Sequence, residues 1–126
     1  MQQQMKNEKY LVVVSGPSGC GKDTVVKEQL RIRPNTELSV SCTTRAMRVH
    51  EQEGVDYYYI TREEFENRVR GGGMLECAEY AGNYYGTPAS ETERRLAERK
   101  PVVLVIEVQG GRTVKLRYPH ALLVFI

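Results

Sequence analysis

Hydrophobic and polar positions along this chain fall into three textures. Tyr10-Leu11-Val12-Val13-Val14-Ser15 is a continuous Val-rich run, the pattern of a buried strand. Residues 102–107 and 121–126 repeat it, and such runs suit parallel strands covered on both faces. Helical spacing is the second texture. Val25, Val26, Gln29 and Leu30 share one face over residues 23–32, closed by Arg33-Pro34. Thr61-Arg62-Glu63-Glu64 forms a capping box that predicts a helix to Arg70, stopped by three glycines. Thr87-Pro88 supplies a cap and first residue for a helix over 89–100, and 109–118 reads as another short helix. The middle has the third texture. Residues 37–42 alternate like a strand, 43–54 are polar and irregular, 55–60 are aromatic and β-favouring, and 75–80 and 83–85 read as short strands.

Strands alternating with helices at both ends predict an α/β fold: a phosphate-loop parallel sheet core with helices on both faces and right-handed crossovers. The tyrosine-rich middle predicts a small inserted lobe of antiparallel strands and one helix. The expected organisation is therefore a single domain, 1–126, with a core of 9–36 and 88–126 and an insertion of about 37–87. Residues 1–9 are polar and are expected to be a frayed lead-in.

Composition narrows this only slightly. A net charge of +2 is too small to argue for nucleic acid or an anionic membrane, and no apolar stretch approaches bilayer length. Cys20, Cys42 and Cys77 are scattered without metal-ligand spacing, which predicts reduced thiols and a cytoplasmic location. Oligomeric state is not legible.

Chemistry enters directly after the first apolar run, at Gly16-Pro17-Ser18-Gly19-Cys20-Gly21-Lys22-Asp23-Thr24. Glycines at 16, 19 and 21 let the backbone curl so that successive N–H groups point at one anion. The following helix adds the positive end of its dipole. One Lys–phosphate pair at contact range is worth about 1 kcal/mol in bulk water and several times that when partly desolvated. The loop amides must therefore do much of the holding. Strand, glycine loop, Lys22 and helix are the context that a triphosphate-binding loop requires. A hydroxyl usually follows the lysine and meets Mg2+. Here Asp23 follows and the hydroxyl comes at Thr24, so Thr24, Asp23 or both are the metal candidates.

A second constellation lies between residues 39 and 88. Arg45 and Arg48 are spaced to hold one phosphate from neighbouring directions, and Tyr57 and Tyr85 can add phenolic donors. Glu76 follows the apolar pair Met74-Leu75. Guanine presents N1–H and N2–H side by side, a pair that one carboxylate accepts bidentately. Adenine lacks that pair, and leaving a buried acceptor unpaired discriminates by factors up to about 10⁴. Glu107 ends a buried run, where an unpaired carboxylate is costly, so it is expected to have a bound partner. It should face the same cleft as Gly16–Thr24, beyond the carboxyl ends of the strands.

The motifs GPSGCGK, SVSCTTR with its second arginine, GVDYYYI, the stretch around Glu76, GNYYGTP and IEVQG occur in the order and spacing of the guanylate kinase family, which residues 10–126 resemble. The resemblance implies transfer of the terminal phosphate of ATP to GMP, with Mg2+ accompanying ATP and Lys22, Arg45 and Arg48 supporting the transfer. It implies that Arg45, Arg48, Tyr57 and Tyr85 hold the GMP phosphate and that Ser41, Glu76 and Thr87 read the guanine. Glu107 would match an acid near the guanine and the metal. Val105 stands where the family often has a second acid, and Ala46-Met47 stands where it has prolines, predicting a less rigid loop. The family's lid and closing helix are not recognised in this stretch, so it is expected to be an N-terminal fragment whose own turnover depends on that lid. Two other readings compete: a non-catalytic guanylate-kinase-like module holding a phosphorylated or acidic peptide, and another small-molecule phosphate-loop kinase.

Overall fold

The computed structural model describes residues 7–16 and 21–126. In chain order its first elements are β1 (Leu11–Ser15), α1 (Lys22–Ile32), β2 (Glu37–Leu38), β3 (Cys42–Thr43), β4 (Tyr58–Tyr59) and α2 (Arg62–Arg70). There follow β5 (Met74–Tyr80), β6 (Asn83–Pro88), α3 (Ala89–Ala97), β7 (Val102–Val105), α4 (Val108–Arg117) and β8 (Leu122–Phe125). The chain divides into two compact units, one up to Ser39 and from Thr92 to Ile126, the other Val40–Glu91.

The first unit carries a parallel sheet in the order β2-β7-β1-β8. Every residue of β1 is buried, because helices cover both faces. Val12 and Val14 point to one face, where they cluster with Val26 of α1 and with Val103. Ser15 points to the other, where α4 comes so close that a Cβ on Gly111 would lie well inside van der Waals contact with Ser15 Oγ. Alternation along the strand thus assigns one helix to each face. Gly21 opens α1 at φ 95°, a left-handed conformation that favours glycine. The lead-in is not all frayed: Asn7 and Glu8 are buried, and Glu8 accepts from the His120 N–H. Residues 1–6 lie outside the described residues. No helix among the described residues is long and apolar enough to cross a membrane.

The second unit carries a sheet in the order β4-β3-β6-β5. It is mixed, not antiparallel: β3 pairs with β6 and β5 with β6 antiparallel, but β3 and β4 run parallel. The long connection 44–57 explains this, since it returns the chain to the start of β3 before Tyr58-Tyr59 pairs. Cys42, Phe65 and Met74 form its core, with Tyr58, Ile60 and Tyr84 packed around them. The capping-box hydroxyl performs as the pattern predicts, with Thr61 Oγ1 accepting from the Glu64 N–H at 3.1 Å.

Two sequence expectations fail instructively. The alternating stretch 37–42 is not one strand: Glu37-Leu38 pairs with β7 in the first sheet, while Cys42-Thr43 pairs with β6 in the second. Alternation shows that a segment is extended, not which sheet it joins. Thr87-Pro88 does not begin a helix but ends β6, opposite Glu76 and Met74. The buried Thr87 hydroxyl serves a carboxylate rather than a helix end, and α3 starts at Ala89.

Candidate functional site

In the first unit, Gly16 follows the carboxyl end of β1 and is buried. Lys22, the first residue of α1, donates from Nζ to the Gly16 carbonyl at 2.9 Å. Asp23 and Thr24 are exposed on the first turn of α1. Pro17, Ser18, Gly19 and Cys20 lie outside the described residues. Glu107 lies beyond β7, the neighbour of β1, and the Ile106 N–H donates to Val14 O. Gly16 and Glu107 therefore leave adjacent parallel strands on one side. The partner that Glu107 finds is local: its carboxylate caps α4, accepting from Gln109 N–H at 2.9 Å and from Gly110 N–H. A carboxylate at a helix N-terminus satisfies two orphan donors and meets the favourable end of the dipole.

The second unit brings together most of the other candidates. Thr43 in β3 fixes the chain leading to Arg45: its hydroxyl donates to Tyr84 O at 2.9 Å and accepts from Arg45 N–H at 3.2 Å. The Arg45 guanidinium then meets Glu51 in a bidentate pair, Nη1 to Oε1 and Nη2 to Oε2, each 2.9 Å. Nη1 also donates to Ala46 O at 3.0 Å. The Tyr57 ring lies 5.3 Å from Arg45 Cζ, and Tyr85 packs edge-on to Tyr57 with centroids 5.9 Å apart. The Arg48 side chain is exposed; its backbone N–H donates to Glu51 Oε1 at 2.9 Å.

Sequence reasoning missed Glu51. Its backbone N–H donates to Arg48 O while its carboxylate accepts from Arg48 N–H. Residues 45–51 are thus tied at both ends without the prolines whose absence predicted a looser loop. The signal was available as an acid three residues after one arginine and six after the other. Arg45 first, then the Arg48 N–H, holds the Glu51 carboxyl down at about 2, below its ordinary 4.5, and Arg45 is shifted upward in turn. Burial, and then the neighbouring Glu51, pushes the Tyr59 hydroxyl up to about 12. A carboxyl with a lowered folded pKa contributes stability that is complete above its unfolded value and lost as pH falls through the folded one. The stability difference between this chain and a Glu51→Gln variant should be flat above a pH of about 5.5 and close between about 4.5 and 2. Thermal unfolding across that range checks it; a gap that persists to pH 2 contradicts the ionic origin.

Glu76 and Thr87 face each other across β5 and β6, and Thr87 Oγ1 donates to Glu76 Oε1 at 2.7 Å in a buried setting. A register shift between Met74 and Glu76 absorbs Leu75, the kind of irregularity that re-aims a side chain. Glu76 is 8% exposed. Ser41 is half-buried just before β3, and its carbonyl accepts from Tyr58 N–H. Tyr85 and Thr87 sit two residues apart on β6 and so share one face of the sheet.

A model of the guanylate kinase family matches residues 8–126. The guanylate kinase of Fusobacterium nucleatum is 53% identical over 115 residues, covering 91% of this chain and 62% of that protein. The guanylate kinase of Prochlorococcus marinus is 44% identical over 122 residues, 97% of this chain and 66% of that one. Among solved structures, guanylate kinase from Anaplasma phagocytophilum superposes with a TM-score of 0.76 at 36% identity, covering 91% of this chain and 57% of that one. The chain thus spans less than two thirds of the length of each of these proteins.

Proposed function

This chain belongs to the guanylate kinase family, and from that premise we propose that it binds ATP and GMP for the transfer that gives ADP and GDP. The glycine loop and Lys22 hold the ATP phosphates. The second unit holds GMP, its phosphate against Arg45, Arg48, Tyr57 and Tyr85 and its base against Glu76, Thr87 and Ser41. The observation that carries this lies on β6. Tyr85 stands beside the Arg45 guanidinium, and Thr87 grips the Glu76 carboxylate from the same strand face. Same-face neighbours on a strand are about 6.7 Å apart, room for a ribose between a phosphate and a base.

The chemistry asks little of the protein beyond position and charge. The GMP phosphate oxygen is already ionised, so the nucleophile needs no general base. Arg45 and the tyrosine hydroxyls orient it, while Lys22 and the loop amides neutralise the donor. Mg2+ bound with ATP supplies further charge neutralisation. Thr24 and Asp23 offer the hard oxygen donors that suit an ion taking most of its ligands from phosphate and water. Glu107, engaged with the first turn of α4, orders that turn. The free thiols Cys42 and Cys77 fit a reducing, cytoplasmic setting.

Binding is the direct measure for a chain that spans part of its relatives. Calorimetric titration should find GMP bound at least about a hundredfold more tightly than AMP. Equal binding of AMP would overturn the guanine assignment, and a phosphopeptide that outcompetes GMP would favour a non-catalytic module.

A further inference from the structure

Arginine has five N–H donors, and three of those on Arg45 go to Ala46 and Glu51. Nη1 uses both of its own, on Ala46 O and Glu51 Oε1, and Nη2 uses one, on Glu51 Oε2. The other two, on Nε and Nη2, lie along a single edge of the guanidinium, and the Tyr85 phenol is a further hydrogen-bonding neighbour of the group. A phosphate is recognised best by such a parallel donor pair. Glu51 therefore does not occupy the edge that an anion would use; it occupies the other one.

Nor is Glu51 free to swing aside. Arg48 engages its backbone N–H and its carboxylate, and the Arg45 and Glu51 side chains are only 13% and 18% exposed. Separating them would leave two poorly solvated charges unpaired.

We propose that Glu51 is a positioning residue for the acceptor phosphate: by holding the Nη1–Nη2 end of Arg45 it presents the Nε–Nη2 edge to the phosphate of GMP. This rests on the proposed GMP site. Glu51 touches neither nucleotide and acts through Arg45. Its negative charge repels the phosphate as well, so the sign of its net effect separates positioning from competition.

The experiment is calorimetry on the full chain with GMP, guanosine and ATP, for the unaltered protein, Glu51→Gln, Glu51→Asp, Arg45→Met and the Glu51→Gln/Arg45→Met pair. Positioning predicts GMP about tenfold to a hundredfold weaker in Glu51→Gln, a smaller loss in Glu51→Asp, and guanosine and ATP unchanged. It also predicts that the double variant is no worse than Arg45→Met, since Glu51 acts only through Arg45. GMP binding that is unchanged or tighter in Glu51→Gln would overturn the proposal. So would losses for guanosine equal to those for GMP, or additive losses in the double variant. Failure of the unaltered chain to bind GMP removes the GMP site and the proposal with it, an outcome distinct from GMP binding that ignores Glu51.

Discussion

Glu76→Gln is expected to weaken GMP binding by a hundredfold or more, towards about 10⁴, while ATP binding stays within a factor of about two. The carboxylate is buried and accepts a hydrogen bond from Thr87 Oγ1. A carboxylate's two oxygens offer about four acceptor sites, and the proposed guanine base presents N1–H and N2–H side by side to such a group. Gln keeps the volume but replaces one acceptor with an NH2 group, so a donor would confront a donor in a buried site. Thr87→Val should reproduce part of this loss, because the carboxylate then loses the group that fixes its rotamer. Calorimetry with both nucleotides reads the result. Parallel losses of GMP and ATP affinity would place Glu76 in the folding of the sheet and not in base recognition.

The second large effect concerns the fold. Gly111→Ala should destabilise the first unit by about 1–3 kcal/mol. The new methyl would overlap Ser15 Oγ, with Leu123 Cδ1 and Ser15 Cβ at 3.5 Å. Ser15 is wholly buried, and its hydroxyl has no hydrogen-bond partner among the described residues. Removing that oxygen makes room, so Ser15→Ala/Gly111→Ala should recover most of the loss. Ser15→Ala alone should be neutral or slightly stabilising, since it discards an unsatisfied buried hydroxyl. Chemical denaturation of the four proteins completes a double-mutant cycle; a strictly additive cycle would refute the contact as the cause.

The parallel sheet was readable because burial on both faces leaves no polar residue in Val12-Val13-Val14 or Val102-Val103-Leu104, a signal contained within one segment. The strand before Gly16 and the helix opening at Lys22 were readable for a similar reason, since strand, glycines, lysine and helix are contiguous. The second unit was harder because its information is relational. Nothing in Thr87-Pro88 distinguishes a helix start from the end of a strand until Glu76 is seen opposite it. The stretch 37–42 changes sheets in its middle without breaking its alternation. Glu51 escaped because an acid in a polar loop looks like solvated charge, and only the folded loop shows two backbone bonds and a guanidinium converging on it. Glu107 was expected to hold a bound partner, but its exposed carboxylate engages the backbone of its own following helix, a competition between local capping and distant chemistry that spacing alone does not resolve.

The bond from Lys22 Nζ to the Gly16 carbonyl would bear on how a triphosphate is received at the proposed site. It ties Gly16 to Lys22, so part of the chain entropy that anion binding between them would cost is already lost. At the proposed ATP site, an incoming phosphate would find Gly16 and Lys22 already held at a fixed separation, and the ammonium would exchange the Gly16 oxygen for a phosphate one. The lysine would then serve first as a clasp between those two residues and only afterwards as a charge.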